Sequence, residues 1–178
     1  MAPAAFLDRD GVINVDHGYV SRWEDFEFLP HVPEALLMLQ KAGYQLIVIS
    51  NQSGIGRGFY TEQDVEDLNQ CIAHHLKKQL GIKITGFYHC PHHPTDALGD
   101  YLVKCECRKP APGMILHAAQ EHSIDLADSL LVGDKASDIE AGKAAGVGRL
   151  FYVSSRTDVD RSVDCFPVTS LRDVADRL

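Results

Sequence analysis

Six polar side chains lie at or near the ends of predicted strands, and their types suit the transfer of a phosphoryl group. In open α/β sheets, ligands bind outside the carboxyl ends of the strands, so these side chains should share one edge. In phosphoryl transfer, carboxylates hold magnesium, while hydroxyl and ammonium groups stabilise negative charge on the phosphoryl oxygens. The side chains are those of Asp8, Asp10, Ser50, Asn51, Lys109 and Asp134.

Asp8 and Asp10 can divide the work of hydrolysis between them. Two carboxylates at positions i and i+2 leave a strand on the same side, and Gly11 lets the backbone turn tightly below them. One carboxylate can attack phosphorus, and the other can protonate the leaving oxygen and later deprotonate the attacking water. The pair alone is equally compatible with a solvated strand end, so other residues must decide between these interpretations.

A second acidic pair, Asp134 and Asp138, lies at the predicted start of a helix. With a spacing of four residues, one carboxylate can touch a metal ion while the other orients the ion or its waters. Asp is also a common N-cap, so this pair has a structural interpretation as well. Together with Asp8 and Asp10, the pair predicts a site of hard oxygen ligands, the kind that magnesium prefers.

A third group of residues has the composition of a different metal site. Three of the five cysteines lie between Cys90 and Cys107, in a segment that also contains histidines. One histidine and three thiolates form a closed set of four ligands, which suits structural zinc and leaves no position for a catalytic water. His89 or His93 could replace His92, and free buried cysteines are the alternative to zinc. We predict zinc on Cys90, His92, Cys105 and Cys107, within a loop of residues 89–108.

The predicted zinc loop would position its neighbours. Arg108 and Lys109 directly follow Cys107, so a rigid loop would hold both cations over a phosphate group. Cys71 and Cys165 stand apart from this loop. We expect these two residues to pack as small buried hydrophobic side chains, because free cysteine is among the most buried residue types.

The elements that must position these groups follow from hydrophobic patterning. Apolar runs alternate with helical patterns, which predicts an α/β fold with a doubly wound parallel sheet covered on both faces. Strands are expected at about residues 4–7, 46–49, 84–88, 130–132 and 150–153. Helices are expected at about residues 33–42, 61–80, 112–119 and 138–145, and Ser170 can cap a short C-terminal helix. Gly54, Gly56 and Gly58 predict a flexible loop.

Length and charge limit the architecture and the partners. With 178 residues, 45% of them hydrophobic, the chain fits one compact domain over residues 1–178. The formal net charge of -8 disfavours nucleic acid and anionic membranes as partners, because such binding needs a basic face. The first residues lack the basic segment of a signal peptide, and no apolar stretch approaches the ~20 residues of a membrane span. We therefore expect a cytoplasmic monomer.

Four segments, read in order, resemble the motifs of the haloacid dehalogenase superfamily of phosphatases. They are residues 8–14 (Asp-Arg-Asp-Gly-Val-Ile-Asn), 49–52 (Ile-Ser-Asn-Gln), 108–110 (Arg-Lys-Pro) and 133–138 (Gly-Asp-Lys-Ala-Ser-Asp). The resemblance covers residues 5 to about 153 and implies a Rossmann-like fold.

The resemblance also implies a role for each motif residue. Asp8 would be the nucleophile and Asp10 the general acid and base. Ser50 and Lys109 would bind the phosphoryl group, and the family more often has Thr at the position of Ser50. Magnesium would be held by Asp8, by Asp134 and by the backbone carbonyl of Asp10.

Superfamily members often carry a cap domain, and this chain has no insertion after the first or second motif that fits one. An uncapped site should be open, so loops would select the substrate. Gly18-Tyr19-Val20 and residues 51–58 are similar to the D-glycero-D-manno-heptose-1,7-bisphosphate 7-phosphatases, although Gly56 is often Ala there. The zinc loop is similar to that branch and to its relatives, the histidinol-phosphate phosphatases. By this resemblance, substrate is contacted by Asp16, His17, Gly18, Tyr19, Asn51, Gln52, Ser53, Arg108 and Lys135. Arg57, in a glycine-rich segment, is either a loop cation for a second phosphate or a solvated charge, and we expect the first.

The expected reaction is removal of the C7 phosphate from D-glycero-D-manno-heptose 1,7-bisphosphate, with magnesium and zinc as cofactors. This reaction would serve the biosynthesis of ADP-heptose for the lipopolysaccharide core, or of a related heptose. A phosphatase of histidinol phosphate or of another small metabolite is one alternative. Another alternative is a zinc-stabilised binding module without activity. Loss of Asp8 or Asp10 would indicate such a module, but both residues are present.

Overall fold

The central element of the fold is a parallel sheet that carries the predicted site at one edge. The structure is a computed structural model that describes residues 1–154 and 164–178. Within these residues the sheet has six strands in the order β3-β2-β1-β4-β5-β6, and every neighbouring pair is parallel. The strands are β1 (Ala4–Leu7), β2 (Gln45–Asn51), β3 (Ile84–Cys90), β4 (Leu130–Gly133), β5 (Arg149–Val153) and β6 (Phe166–Val168). The predicted α/β class with a doubly wound parallel sheet is confirmed.

Helices cover both faces of this sheet. They are α1 (Val32–Lys41), α2 (Ser53–Gly56), α3 (Glu62–Leu80), α4 (Gly113–His122), α5 (Ala136–Ala145) and α6 (Leu171–Ala175). In β1, the side chains of Ala5 and Leu7 pack with α1, α3 and α6, whereas those of Ala4 and Phe6 pack with α4 and α5. Because successive side chains of a strand point to opposite faces, one apolar run contributes to both cores.

The ends of α3 and α5 follow from local chemistry. The side chain of Thr61 accepts a hydrogen bond from the backbone N–H of Asp64, whose carboxylate accepts one from the backbone of Thr61. This reciprocal capping box begins α3 at Glu62, as the sequence predicts. Gly81 and Gly146 end α3 and α5 in the left-handed conformation that glycine adopts without strain.

Three elements differ from what the sequence predicts. The predicted flexible loop of Gly54, Gly56 and Gly58 contains α2, one helical turn in which Gly54 and Gly56 are buried. Helix α5 begins at Ala136, two residues before the predicted start at Asp138. The short strand β6 was not expected from the sequence.

Cys71 is exposed on α3 instead of buried, and Cys165 is only partly buried. Residues 155–163 of the predicted domain lie outside the described residues, so the domain boundaries 1–178 stay a prediction. None of the helices in the described parts of the chain has the length and apolar character to span a bilayer.

Candidate active site

Lys109 is the centre of a buried ion-pair network at the carboxyl edge of the sheet. Its ammonium group lies 2.9 Å from Asp8 Oδ1 and 2.6 Å from Asp138 Oδ1. It also donates a hydrogen bond to the backbone oxygen of Ile49, at 3.1 Å. A lysine ammonium has three hydrogens, so these three acceptors account for all of them. The network joins the first motif, the second strand, the third motif and the fourth motif at one point.

Burial raises the pKa of Asp8 to about 8, although the ammonium group of Lys109 acts in the opposite direction. The nearby carboxylates of Asp138 and Asp134 raise it further. Burial alone would lower the pKa of Lys109, but the carboxylates of Asp8 and Asp138 raise it to about 12. Lys109 therefore carries its positive charge at neutral pH, and the site favours a second cation that would keep Asp8 ionised.

Three carboxylates in this network could hold a metal ion. One oxygen from each of Asp8, Asp134 and Asp138 falls within 4.8 Å of the others. Asp134 Oδ1 is buried without a hydrogen-bond partner, which is the state expected of an oxygen that serves as a metal ligand. Asp138 has its Oδ1 on Lys109, and its Oδ2 accepts from the backbone N–H groups of Asp134 and Lys135. The donor set, with an Asp134 oxygen that accepts no hydrogen bond, fits Mg²⁺, which prefers carboxylate ligands.

Gly11 is required where the first and fourth motifs meet. Its φ of +88° lies in the left-handed region, and a Cβ built at this position would overlap the carboxylate of Asp134. The tight turn predicted below Asp8 and Asp10 therefore does more than change direction, because it leaves the room that Asp134 occupies.

Asp10 lies beside this cluster, and its carboxylate is held by hydrogen-bond donors on both oxygens. Asn14 Nδ2 and Arg9 donate to Oδ1, each at 3.0 Å, and Gln52 Nε2 donates to Oδ2 at 3.2 Å. Arg9 is only 1% exposed, and its guanidinium also donates to the backbone oxygen of Val20. The carboxylate of Asp10 is thus fixed in orientation, with Oδ1 more heavily engaged than Oδ2.

Ser50 and Asn51, at the end of β2, bind the other motifs directly. Ser50 is 4% exposed, and its hydroxyl accepts a hydrogen bond from Gln52 Nε2 at 2.6 Å. Asn51 Oδ1 accepts from the backbone N–H of Lys109 at 3.0 Å, and Asn51 Nδ2 donates to the backbone oxygen of Lys109 at 3.2 Å. These two bonds hold the backbone of the third motif against the second strand.

The predicted zinc ligands converge in the loop before Lys109. One ligand atom from each of Cys90, His92, Cys105 and Cys107 lies within 4.8 Å of the others. His89 pairs instead with Glu62, and the ring of His93 accepts from backbone N–H groups of its own loop, which resolves the open choice in favour of His92. Burial would raise the pKa of Cys105, but hydrogen bonds from Cys107 and from the backbone N–H of Arg108 lower it to about 7. Three thiols and one imidazole at these separations fit a four-coordinate zinc ion.

The first predicted substrate loop lines a cavity of about 380 Å³. Asp16 accepts a hydrogen bond from the backbone of Gly18, and His17 lies 3.7 Å from Glu27. Tyr19 is exposed, and its ring meets that of Phe59 edge-on with 4.8 Å between centroids. Phe59 had no predicted role, because a lone aromatic residue in a glycine-rich segment gives no periodic signal.

The remaining predicted substrate residues differ in their positions. Ser53 begins α2 directly after the second motif. Arg108 donates to the backbone oxygen of His92 at 3.3 Å. Lys135 is well exposed, 3.9 Å from Asp134, and although partial burial acts to lower its pKa, the surrounding carboxylates raise it. Arg57 pairs with Asp96 at 3.9 Å, and among the described residues no hydrogen bond or ion pair links it to the Lys109 network.

Comparisons with known proteins agree on a phosphatase. A family model described as polynucleotide kinase 3 phosphatase matches residues 5–163. The D-glycero-β-D-manno-heptose-1,7-bisphosphate 7-phosphatase of Vibrio cholerae is 45% identical over 175 residues, which cover 97% of this chain and 94% of that protein. Its counterpart in Escherichia coli K12 is 47% identical over 146 residues, 82% of this chain and 76% of that protein. The chain belongs to the heptose-bisphosphate phosphatase family of the haloacid dehalogenase superfamily.

Solved structures of the family have the same fold. A haloacid dehalogenase-like phosphatase from Mesorhizobium loti is 32% identical with a TM-score of 0.86, covering 98% of this chain and 83% of that one. The D,D-heptose 1,7-bisphosphate phosphatase of B. bronchiseptica, described in complex with magnesium and phosphate, is 28% identical with a TM-score of 0.82 and covers 98% and 97%. The chain is therefore a phosphoric monoester hydrolase with the Rossmann-like fold of this superfamily.

Several functional residues were missed or underestimated from the sequence. Asp138 was expected to orient a metal, but its carboxylate directly pairs with Lys109. Arg9 and Asn14 belong to the first motif, and their contacts to Asp10 received no role. The alternation around β1 gives a signal for Arg9, since a residue between two site carboxylates must point to the opposite, buried side.

Proposed function

We propose that this chain removes the C7 phosphate of D-glycero-D-manno-heptose 1,7-bisphosphate through a phosphoryl-enzyme intermediate on Asp8, in the presence of Mg²⁺. The observation that carries the mechanism is the buried Asp8, held by Lys109 beside an Asp134 oxygen that accepts no hydrogen bond. A carboxylate nucleophile splits hydrolysis into formation and breakdown of an acyl phosphate, each with a lower barrier.

Asp8, Asp134 and the backbone carbonyl of Asp10 would hold the ion, and a bound Mg²⁺ would neutralise charge on the phosphoryl oxygens. Asp8 attacks phosphorus, and Asp10 gives a proton to the leaving oxygen. Asp10 then takes a proton from the water that attacks the intermediate, which returns both carboxylates to their starting states. We assign the proton to Oδ2, because Oδ1 accepts the shorter hydrogen bonds, from Arg9 and Asn14, whereas Oδ2 accepts longer ones from Gln52 and Arg9.

Ser50 would bind the transferred group by a hydrogen bond, and Lys109, whose hydrogens go to Asp8, Asp138 and Ile49, would stabilise it through its charge. The hydroxyl of Ser50 accepts from Gln52, which leaves its own hydrogen free to donate to a phosphoryl oxygen. Lys109 adds a charge that remains positive throughout, and Asn51 fixes its backbone. Zinc on Cys90 and its three partners would keep the preceding loop rigid and hold Arg108 at the rim of the site.

The names of the relatives support the substrate. Their substrate carries a second phosphate and several hydroxyls, and binding energy from such non-reacting parts can position the reacting phosphate. The groups available for this are Asp16, His17, Gly18, Tyr19, Gln52, Ser53, Arg57, Arg108 and Lys135. The pathway that this reaction would serve is the biosynthesis of ADP-heptose for lipopolysaccharide or of a related heptose. Monomeric state, absence of nucleic-acid and membrane partners, and cytoplasmic location stay predictions.

The deciding experiment compares kcat/KM for the heptose bisphosphate and for histidinol phosphate, with phosphorus NMR to locate the phosphate that is removed. We expect the sugar to be preferred by a wide margin and to lose its C7 phosphate. Asp8→Asn serves as the control for contaminating phosphatase. Equal or better turnover of histidinol phosphate would contradict the substrate while leaving the Asp8 mechanism standing.

A further inference from the structure

A buried chain of hydrogen bonds runs from Tyr60 to two residues of the active site. The Tyr60 hydroxyl donates to Gln52 Oε1 at 2.6 Å. The Nε2 group of Gln52 donates to Asp10 Oδ2 at 3.2 Å and to Ser50 Oγ at 2.6 Å. Gln52 is 2% exposed and Tyr60 is 9% exposed, so water competes little for these bonds. Tyr60 lies directly before the N-cap of α3, outside the four sequence motifs.

We propose that Tyr60 is a positioning residue of the phosphatase reaction, whose hydroxyl decides which end of the Gln52 amide faces Asp10 and Ser50. This inference rests on the proposed function, because it gives Asp10 the role of acid and Ser50 the role of phosphoryl donor. Tyr60 touches neither substrate nor metal and acts only through Gln52.

The two possible orientations of the amide differ in what they offer the site. With the NH2 end inward, as in the structure, Gln52 donates to the carboxylate of Asp10 and leaves the Ser50 hydrogen free for a phosphoryl oxygen. With the carbonyl end inward, its oxygen would face the carboxylate of Asp10 and would take up the Ser50 hydrogen. The reversed amide would therefore loosen the acid and weaken the grip on phosphate together.

The Tyr60 hydroxyl favours the productive orientation because it is a donor with one acceptor. Burial raises the pKa of Tyr60 to about 12, so the hydroxyl keeps its hydrogen at neutral pH. In residues 1–154 and 164–178, Gln52 Oε1 is its one hydrogen-bond acceptor. Reversing the amide would leave that hydrogen buried and unpaired, which is unfavourable because water does not replace the lost bond.

Packing holds the Tyr60 ring at the depth that this contact requires. The ring packs with Ile55, Val65 and Tyr101. A Cβ at Gly54 would overlap the ring and its hydroxyl. The glycine of α2 therefore leaves a space that the phenol fills, directly beneath the second motif. A ring confined in this way cannot follow Gln52 if the amide reverses.

The test is Tyr60→Phe, which removes one oxygen and keeps the ring, with Tyr101→Phe as the matched control from the same cluster. The readout is kcat/KM for two substrates. One is the heptose bisphosphate, which is an alkyl phosphate, and the other is p-nitrophenyl phosphate, whose leaving group departs without a proton. Because Ser50 would contact the phosphoryl group of either substrate, we expect Tyr60→Phe to lower kcat/KM for both. The loss should be roughly tenfold for the heptose bisphosphate, which also needs the acid, and less than about threefold for p-nitrophenyl phosphate. Tyr101→Phe should change neither. Equal losses on the two substrates, or none, would overturn the proposal.

A double-mutant cycle tests whether Tyr60 acts through Gln52. In a Gln52→Leu background, Tyr60→Phe should cause no further loss of kcat/KM, because the amide that it orients is gone. Additive losses would refute this route, and Gln52→Leu alone supplies the substrate comparison should Tyr60→Phe fail to fold. Asp10→Asn is measured in parallel. If Asp10→Asn lowers kcat/KM equally for both substrates, the acid role of Asp10 is overturned and this inference with it. If Asp10→Asn selectively lowers kcat/KM for the heptose bisphosphate but Tyr60→Phe does not, the inference alone is overturned.

Discussion

Replacing Lys109 by Met tests whether the buried ammonium group holds the active site together. At an effective dielectric constant of about 20, charges at the observed separations attract by roughly 6 kcal/mol for each of the two carboxylates. Desolvation of the charges offsets much of this, and removing one partner of a buried pair typically costs about 3–5 kcal/mol. Because its pKa is raised to about 8, Asp8 can bind a proton at pH 7, which reduces its share of the attraction to Lys109. We therefore expect a loss of about 3 kcal/mol in the free energy of unfolding at pH 7.

Lys135→Met is the matched control, since it removes the same charge near the same carboxylates. The Lys135 side chain is 60% exposed, whereas that of Lys109 is 3% exposed. An exposed ion pair contributes about 0–1 kcal/mol, so this variant should lose less than about 1 kcal/mol. The assay is urea unfolding with a chelator present, with both the midpoint and the slope determined.

Added Mg²⁺ gives the Lys109 experiment a second readout. Without the lysine the three carboxylates lose their buried cation, so Mg²⁺, which would displace a proton from Asp8, should stabilise Lys109→Met more than it stabilises the unmodified chain. The reasoning would be refuted by losses that are equal for Lys109→Met and Lys135→Met. Such a result would mean that desolvation of the ammonium group cancels its attraction to Asp8 and Asp138.

Three further changes test the chemistry and the metals. Asp8→Asn should abolish turnover, while leaving the thermal unfolding curve close to that of the unmodified chain, because the amide keeps the volume but cannot attack phosphorus; substantial remaining activity would remove Asp8 from this role. Purified protein should contain one zinc ion per chain by elemental analysis, and Cys107→Ser should lose it, with faster hydrogen exchange confined to the zinc loop; zinc far below one equivalent would contradict the site. In the same phosphate-release assay, the loss of activity in Gly11→Ala should be at least tenfold larger than in Gly18→Ala. A Cβ at Gly11 meets the carboxylate of Asp134, whereas nothing lies within 4 Å of a Cβ at Gly18. Equal effects would mean that backbone strain alone matters, since both glycines have positive φ.

The sequence predicts the fold wherever local chemistry and long-range packing agree. The capping box of Thr61 and Asp64 begins α3 at the expected residue, because that signal is contained within four positions. The unbroken apolar run of β2 is buried on both faces, as its composition indicates. Strand β6 has only three residues and contains Pro167, so no period of alternation identifies it.

The errors have a common physical origin in contacts that are distant in sequence. Gly54 and Gly56 indicate a flexible backbone, but both positions require glycine for steric reasons. A Cβ at Gly54 would overlap the ring of Tyr60, and a Cβ at Gly56 would overlap the backbone oxygen of Pro91. Cys71 follows a statistical preference for burial, yet the face of α3 on which it lies is turned to solvent. The pairing of Asp138 with Lys109 spans two motifs that no local pattern connects.

The reciprocal hydrogen bonds between Asn51 and the backbone of Lys109 make the position of Lys109 independent of the tip of the zinc loop. They hold Lys109 from the β2 side, independently of the residues that precede it in the chain. This tip, the part of the zinc loop at residues 94–100 that precedes Tyr101, can therefore vary in length and side chains without moving the ammonium group away from Asp8. For enzyme engineering, foreign segments grafted at this tip would change substrate preference while the catalytic residues stay in place. Variation during evolution would be tolerated at the same place for the same reason.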